Sequence, residues 1–404
     1  MRPPGPENPW RLDPTVIQLN HGGYGACPTS ALEAQSALRA AIEANATAFL
    51  DRELEDRLDA ARAALAGFLD ADAEALAFLP NATTGVSTVL ASLRFRPGDE
   101  LLTTDHEYNA TLNALAAAAR RDGARVVIAR IPFPIRGAGA AIEAILAAVT
   151  PRTRLALISH VTSPTAVVLP ITEIVAELER RGVDTLVDAA HAPGMVAVSL
   201  RELGAAYWTC NGHKWLCGPK GGAILAVRED KRPAIRPLVV SHGWNDPRPS
   251  RSAYRKEFDW LGTVDPTPYL ALPTAIDTVG GLEAGGWPAV MAANRELALR
   301  GQASLAAALG IEPPVPAAMI GAMAALPLAA VPPTDDAALV LRNALAREHR
   351  IEVPIPTWPV PAARTAPDAA PAHALVRVSA QRYNDDGDIE ALVAALARRG
   401  LNAG

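Results

Sequence analysis

The chain has 404 residues, of which 50% are apolar and 20% are charged, and its formal net charge is −5 at pH 7; these values favour a two-domain globular protein. The absence of Lys/Arg runs argues against a nucleic-acid surface, and the absence of an uninterrupted stretch of about 18 apolar residues argues against a membrane span. The three cysteines, Cys27, Cys210 and Cys217, form no CxxC pair and no zinc spacing, so we expect a reducing, cytoplasmic location and no metal site.

The first segments predict an arm, a short strand and a glycine-rich turn. Residues 1–14 are rich in Pro, Arg and Asn, which is not typical of a signal peptide. A strand at 16–20 runs into His21-Gly22-Gly23-Tyr24-Gly25, where glycine permits positive φ and close approach of the backbone. An ordinary turn would have the same composition. Two Ala/Leu/Arg-rich helices follow, at 29–49 and 51–69.

A short polar turn separates an apolar strand at 75–79 from a helical pattern. Its sequence is Asn81-Ala82-Thr83-Thr84-Gly85. A strand, a turn and a helix in this order direct free backbone N–H groups and the positive end of the helix dipole at an anion, and the hydroxyl groups add donors. The alternative is an N-cap formed by Thr83 or Thr84, which needs no ligand.

Strands and helices then alternate, which predicts a mostly parallel sheet with helices on both faces. Ligands of such sheets bind at the carboxyl ends of the strands, and His106 and Tyr108 follow the strand at 100–104. Either ring could stack on a planar ligand, although a loop His or Tyr is more often a packing or surface residue. The further predicted strands are 126–131, 155–160, 183–188, 206–210 and 223–227, and the helices among them are 139–149 and 172–181.

Two strand ends carry groups with distinctive chemistry. Asp188 closes an apolar strand, where a charge is costly unless a cation meets it, and His191 follows three residues later. The alternative is that Asp188 caps the next turn. Lys214 follows the strand at 206–210 and is one of only four lysines among 38 basic residues. An amine forms a Schiff base and a guanidinium does not, although a surface lysine beside a turn is the plain alternative.

The pattern changes in the second half of the chain and predicts a smaller α+β domain. Residues 236–268 and the proline-rich residues 352–371 predict loops. We expect an N-terminal arm at 1–28, a large ligand-binding domain at 29–270, and a small domain at 271–404 that includes part of the arm. The other predicted elements are helices within 271–308, a strand at 325–328, a helix at 335–349, a strand at 375–379 and a closing helix at 386–399.

Together these groups form the set that pyridoxal 5'-phosphate needs. Lys214 supplies the amine that binds its aldehyde. Asp188 supplies the carboxylate that keeps the pyridine nitrogen protonated, and a helix N-terminus holds the phosphate. An imidazole or aromatic face covers the ring. Each signal is weak alone, and their coincidence at successive strand ends predicts this cofactor.

The same segments resemble the isopenicillin N epimerase-like group of the class V aminotransferase and cysteine desulfurase family, from about residue 12 to the end of the chain. The resemblance implies fold type I of the pyridoxal-phosphate enzymes, with a mostly parallel seven-stranded sheet flanked by helices and a smaller C-terminal α+β domain. It also implies a homodimer with active sites at the interface. The matching segments are 20–22, 81–85, 104–108, 159–165, 187–194, 212–216, 260–263 and 377–379.

The resemblance also implies roles for single residues. Lys214 binds the cofactor aldehyde, Asp188 contacts the pyridine nitrogen, and Arg377 grips the substrate α-carboxylate as a bidentate fork. Further implied cofactor contacts are His191 at the ring hydroxyl, Ala82, Thr83, Thr84, Asn211 and His213 around the phosphate, His106 or Tyr108 on the ring face, Ser163, and Gly262 and Thr263 from the neighbouring subunit. Further implied substrate contacts are Asn20, His21 and Tyr24.

The leading hypothesis is an epimerase or racemase that acts at Cα of an amino acid. Lys214 would remove the proton, and a second group, His106 or Tyr108, would return it from the other face. Elimination from a cysteine conjugate by a C–S lyase, and transamination, begin with the same proton loss and stay open. Residues 351–374 contain no cysteine, which disfavours a persulfide-forming desulfurase. A non-catalytic protein that binds the cofactor is the alternative from another class.

Overall fold

A computed structural model describes residues 9–363 and 371–402. Residues 1–8 of the predicted arm and residues 364–370 of the predicted proline-rich loop lie outside the described residues. The strands are β1 (Ile17–Gln18), β2 (Leu76–Leu79), β3 (Glu100–Thr104), β4 (Arg125–Ala129), β5 (Thr153–Ser159), β6 (Asp184–Asp188), β7 (Tyr207–Asn211), β8 (Ala223–Val227), β9 (Met323–Pro327), β10 (Ile351–Glu352), β11 (Thr357–Trp358) and β12 (His373–Ser379).

The α-helices are α1 (His21–Tyr24), α2 (Thr29–Ala44), α3 (Leu54–Leu69), α4 (Ala82–Ser92), α5 (Asn109–Asp122), α6 (Ala138–Ala147), α7 (Ile171–Arg180), α8 (Leu200–Leu203), α9 (Ala253–Asp259), α10 (Thr267–Leu270), α11 (Leu272–Gly280), α12 (Gly286–Leu309), α13 (Asp335–His349) and α14 (Asp386–Ala397). A π-helical segment, Ala48–Glu53, precedes α3. Within the described parts of the chain, no helix combines the length and apolar character that a membrane crossing requires.

Seven of the described strands form one sheet in the order β2-β8-β7-β6-β5-β3-β4. Strands β4, β3, β5, β6 and β7 are parallel, and β8 is antiparallel to both β7 and β2. Along β2, Leu76 and Phe78 belong to one apolar core and Ala77 and Leu79 to the other, so the sheet is covered on both faces. The predicted mostly parallel sheet flanked by helices is confirmed.

A second, antiparallel sheet lies in the C-terminal part of the chain, in the order β11-β12-β9. Helix α12 packs on β9 and on α14. The arm joins this part of the protein, because β1 pairs in parallel with β10 and the Ser379 N–H donates to the Leu19 carbonyl at 2.9 Å. The predicted domain division at residue 270 stays a prediction, since α11 packs on α2 and α3 as well as on α12.

The prediction of a loop at 236–268 is wrong in part, because helix α9 lies within it. The Ser252 side chain caps this helix by accepting a hydrogen bond from the Arg255 N–H at 3.2 Å. Tyr254 and Phe258 lie one turn apart, and their buried rings are 4.7 Å apart. One apolar pair in so short a helix is a weak periodic signal, and its burial depends on contact with β2.

A buried carboxylate joins β3 to its two neighbours. Glu100 stands at the start of β3 and is fully buried. It accepts hydrogen bonds from Thr150 Oγ1 at 2.6 Å, from Arg125 Nη2 at 2.5 Å and from Arg152 Nη2 at 2.7 Å. The Thr150 hydroxyl, followed by the two guanidinium groups, lowers the pKa of Glu100 to about 2.

We expect Glu100→Gln to lower the free energy of unfolding by about 1–3 kcal/mol near pH 7, because two guanidinium groups lose a charged acceptor. The folded-state pKa lies below the ordinary value of 4.5, so this stabilisation is complete above pH 4.5 and is lost as the pH falls toward 2. Urea unfolding should therefore show a difference from wild type that shrinks between about pH 5 and pH 3. Glu229→Gln, at an exposed position, is the control, and a difference independent of pH would contradict the prediction.

Candidate active site

The carboxyl ends of β5, β6 and β7 open onto one cavity of about 870 Å³. Ser159, Asp188 and Asn211, the last residues of these strands, line it together with the start of α4. Arg377 on β12 lines the cavity from the small antiparallel sheet. This volume is in the range of pockets that hold a cofactor or a medium-sized ligand. The cavity therefore lies at the edge of the sheet where the sequence predicts the site.

Lys214 lies in the loop between β7 and β8 and lines this cavity. Its Nζ is 3.0 Å from Nε2 of His191. Burial, followed by the positive charge of Arg377, lowers the pKa of Lys214 to about 8, and the charge of Asp188 acts in the opposite direction. The neutral amine is therefore accessible near neutral pH, which suits a nucleophile or a general base.

The glycine-rich turn holds the backbone on either side of this lysine. Gly25 has a φ of +68°, and a Cβ there would lie 1.7 Å from the His213 carbonyl oxygen. His21 Nε2 lies 3.0 Å from the Lys214 carbonyl oxygen, and His21 Nδ1 lies 3.0 Å from the Tyr383 hydroxyl. The close backbone approach predicted at this turn is thus an approach to the lysine loop.

Asp188 caps a turn, as the alternative interpretation expects, and it also lines the cavity. Its Oδ1 accepts a hydrogen bond from the Ala190 N–H at 3.0 Å. Burial raises the pKa of Asp188, whereas the Ala190 hydrogen bond and the charge of Lys214 act in the opposite direction. A protonated pyridine nitrogen beside this carboxyl group would favour its charged form.

Helix α4 begins at the cavity, but its cap is not a threonine. Asn81 Oδ1 accepts hydrogen bonds from the Thr84 N–H at 2.8 Å and from the Thr84 hydroxyl at 3.0 Å. The alternative of an N-cap at Thr83 or Thr84 is therefore wrong, and Thr84 is not among the described residues that line the cavity. Ala82 and Thr83 do line it, and the Ala82 N–H donates to Asn211 Oδ1 at 2.9 Å.

His213 also lines this cavity. Its Nδ1 is buried and has no hydrogen-bond partner among the described residues. Burial lowers the pKa of His213 to about 4, so the ring is neutral near pH 7 and carries one proton to donate. An anion that this ring and the N-terminus of α4 contact together would satisfy the unpaired atom. These residues fit a cofactor that carries a phosphate group.

The structure brings Tyr108, and not His106, to the cavity. His106 is buried, with Nδ1 at 2.7 Å from Thr165 Oγ1 and Nε2 at 3.0 Å from the Ile131 carbonyl oxygen. Burial lowers the pKa of His106 to about 4, and its ring packs against Trp358 with centroids 4.7 Å apart. Tyr108 lines the cavity and is half exposed. In this arrangement His106 cannot cover a ring in the cavity or exchange protons with a substrate.

Arg377 is buried, and not all of its N–H donors have a hydrogen-bond partner among the described residues. Its Nη1 donates to the Ser163 carbonyl oxygen, and its Nε has no partner among the described residues. Burial lowers the pKa of Arg377 to about 10, which still leaves the guanidinium charged near pH 7. Ser163, for which the resemblance implies a cofactor contact, lines the cavity, and its hydrogen bonds hold Arg377. The remaining donors can take a carboxylate as a fork.

The Aminotransferase class-V family model matches residues 28–392 of this chain. The chain belongs to this family. It is therefore an enzyme of a pyridoxal 5'-phosphate-dependent family, and the cofactor predicted from the strand ends is confirmed.

Proteins similar to this class V enzyme differ in activity. The chain is 37% identical over 399 residues to isopenicillin N epimerase from Amycolatopsis lactamdurans, and the matched region covers 95% of each chain. It is 34% identical over 400 residues to putative L-cysteine desulfhydrase 1 from Oryza sativa subsp. japonica, across 93% of this chain and 82% of that protein. Its fold is similar to that of the cysteine desulfurase CsdA from Escherichia coli, with a TM-score of 0.79, 20% identity and 98% of each chain covered. Fold type I is thus confirmed, whereas the reaction is not specified.

Some predicted contacts of this class V enzyme lie away from the cavity. Asn20 and Tyr24 line it, but His21 is absent from the described lining and instead supports the lysine loop. Gly262 borders a separate small pocket, and Thr263 is exposed. The predicted reach of these two residues into a neighbouring subunit stays a prediction.

The sequence does not single out two groups near the site, Glu107 and Arg342. Ser159 lines the cavity, and its N–H donates at 2.8 Å to Glu107, a fully buried carboxyl group. Burial raises the pKa of Glu107 to about 8. Arg342 on α13 also lines the cavity, but an arginine on an exposed helix is ordinary in sequence. Their positions follow from packing between elements that are distant in the chain.

The cysteines stand apart from the site. Cys27, Cys210 and Cys217 are all buried, and none belongs to the described lining of the cavity. Over residues 9–363 and 371–402, no cluster of three or more His, Cys, Asp or Glu side chains could hold a metal ion. The acid–base groups of the cavity are thus oxygen and nitrogen groups.

We expect the rate at which the cofactor-free protein captures pyridoxal 5'-phosphate to rise with pH and to level off above about pH 8, because the neutral Lys214 amine is the reactive form. Arg377→Met should move the midpoint upward, since the Arg377 charge lowers the pKa of Lys214. The measurement is the growth of visible absorbance after rapid mixing. A rate that does not change between about pH 6 and pH 9 would contradict this assignment.

We expect Arg377→Lys to raise KM for the amino-acid substrate by about 10–150-fold with a smaller change in kcat, because an ammonium group cannot reproduce the bidentate fork. Arg300→Lys is the matched control, since Arg300 pairs with Asp386 at an exposed position and such pairs contribute little. Steady-state kinetics of both variants check the prediction. Equal KM values in the two variants would remove Arg377 from substrate binding.

Proposed function

We propose that this protein is an epimerase or racemase that inverts Cα of an amino acid. The single observation that carries the proposal is that Lys214 and Tyr108, whose side chains are capable of proton transfer, line the same cavity as Arg377, whose guanidinium is suited to a carboxylate. The charge of Arg377 acts on Lys214, and Tyr108 acts on Arg377, so the three side chains are electrostatically coupled. Inversion needs one group to remove the Cα proton and another to return a proton from the opposite face.

Each residue has a definite task in this proposal. Arg377 holds the substrate carboxylate, and Lys214 takes the proton from Cα. Bound pyridoxal 5'-phosphate would supply the electron sink for the pair of electrons left at Cα. Asp188 would keep the pyridine nitrogen protonated, and Ala82, Thr83 and His213 would hold the phosphate.

Tyr108 is the residue that would make the reaction an inversion. Its hydroxyl would donate a proton to the face opposite Lys214 and take one in the reverse direction. The greater similarity to an isopenicillin N epimerase, at 37% identity, favours this outcome. A homodimer is part of the proposal, and it is supported by the exposed apolar side chains of Val240, Trp244 and Val264, the last of which directly follows Thr263 in the chain.

A C–S lyase is the second candidate, because the chain is 34% identical to a putative L-cysteine desulfhydrase. Elimination begins with the same proton transfer to Lys214 and then expels a group from Cβ. It needs no proton donor on the opposite face. The two reactions therefore differ in their demand on Tyr108 rather than in their demand on Lys214.

We expect the protein loaded with cofactor to incorporate deuterium at Cα from deuterated water and to form the opposite enantiomer from at least one member of a panel of amino acids and cysteine conjugates. Lys214→Ala should abolish both signals. Tyr108→Phe should retain deuterium exchange but slow inversion by about 10²–10⁴-fold, because one acid–base group is lost. Proton NMR and chiral chromatography measure the two quantities.

Tyr269→Phe is the matched control, since Tyr269 stacks on Phe78 outside the cavity. Release of pyruvate, ammonia or sulfide without inversion would establish the lyase instead. Full activity in Lys214→Ala would overturn the assignment of Lys214 and every role built on it.

A further inference from the structure

The residue after the lysine makes a directed hydrogen bond inside the site. Trp215 is fully buried, and its indole Nε1 donates to Nδ1 of His191 at 3.3 Å. The other ring nitrogen of His191, Nε2, is 3.0 Å from the Lys214 Nζ. The Trp215 ring also packs against His21, with centroids 4.8 Å apart. One imidazole thus connects the indole to the amine.

The chemistry of these groups permits only one arrangement of protons. An indole N–H donates and never accepts, so His191 Nδ1 must present a lone pair to Trp215. The neutral imidazole then carries its single proton on Nε2, and that nitrogen can only donate. Lys214 must therefore accept, which requires its neutral form. An ammonium group at Lys214 would place two protons between the same pair of nitrogens.

The charges around the pair agree with this arrangement. Burial lowers the pKa of His191 well below its ordinary value, and the charge of Arg377 acts in the same direction, so the ring is neutral. Burial and Arg377 also lower the pKa of Lys214. The remaining titratable groups that act on the two residues are His213 and His21 on His191, and Asp188, which alone opposes the shift, on Lys214.

We propose that Trp215 is a positioning residue whose indole N–H holds His191 in the tautomer with the proton on Nε2, so that His191 donates toward the acceptor beside it. In the protein without cofactor that acceptor is the Lys214 amine. With the cofactor bound it would be an oxygen of the cofactor ring, and this second half rests on the proposed function. Trp215 would thereby favour the neutral form of the lysine and keep a proton aimed at the ring.

The plain alternative is that Trp215 only fills space. Trp215→Phe separates the two, since phenylalanine keeps an aromatic ring and removes the N–H. The chain offers a matched control in Trp208, which is equally buried on β7 and whose Nε1 has no partner in the described parts of the chain. Trp208→Phe makes the same chemical change without removing a hydrogen bond.

The first measurement is the ¹⁵N NMR spectrum of the cofactor-free protein labelled in histidine, with His191→Gln used to assign the resonance. We expect wild type and Trp208→Phe to show His191 protonated on Nε2, and Trp215→Phe to show a mixture or the Nδ1 form. An unchanged tautomer in Trp215→Phe would overturn the proposal. So would an Nδ1-protonated or cationic His191 in wild type at about pH 9, above the Lys214 pKa of about 8, where the amine is mostly neutral, and this holds even if the variant does not fold.

The second measurement is the pH midpoint of cofactor capture. In Trp215→Phe, His191 can turn its lone pair to a Lys214 ammonium, so the midpoint should rise by about half a unit to one unit, the value of one ordinary hydrogen bond. Trp208→Phe should leave the midpoint unchanged, and equal midpoints in both variants would contradict the proposal. Failure of wild type to capture the cofactor would instead refute the proposed function, while the tautomer result would stand.

Discussion

The site depends on three ionisable side chains that share one cavity although burial disfavours the charge of each. Burial lowers the pKa of Lys214 to about 8 and that of Arg377 to about 10, and it raises the pKa of Asp188. Such groups are costly unless an opposite charge compensates them. A substrate carboxylate at Arg377 and a protonated ring nitrogen at Asp188 would each supply that charge, so binding would stabilise the folded site.

No single element carries these charges, and the contact between the two sheets sets their spacing. Asp188 ends β6, Lys214 follows β7, and Arg377 lies on β12 of the other sheet. The N-terminal arm contacts both parts of the site, because the Gly22 N–H donates to Ser379 Oγ of β12 at 3.1 Å and His21 Nε2 lies 3.0 Å from the Lys214 carbonyl oxygen in the loop after β7. A change in how the arm packs would therefore change the distance between Arg377 and Lys214.

Residues whose role follows from position on a strand could be predicted, and residues whose role follows from packing could not. Asp188 ends β6 and Lys214 lies in the loop directly after β7, and the parallel sheet brings the carboxyl ends of these two strands together. The direction of the His106 ring depends on partners 25 and 59 residues away. The sequence around His106 and Tyr108 is the same in either orientation, so only tertiary packing decides which ring meets the cavity.

The burial of His106 also reduces the number of candidates for the second acid–base group. Both ring nitrogens of His106 are engaged by protein groups, so His106 has no proton to exchange with a substrate. Of His106 and Tyr108, only Tyr108 therefore remains a candidate for proton transfer at the face of Cα opposite Lys214. An inversion without a second donor would require Lys214 to serve both faces of Cα, which a side chain fixed beside His191 is poorly placed to do. If Tyr108 proves dispensable, the same geometry favours elimination, because a lyase needs only the base and a leaving group. In the proposed mechanism, the choice between inversion at Cα and elimination from Cβ therefore depends on the Tyr108 phenol, because both reactions use the same cofactor.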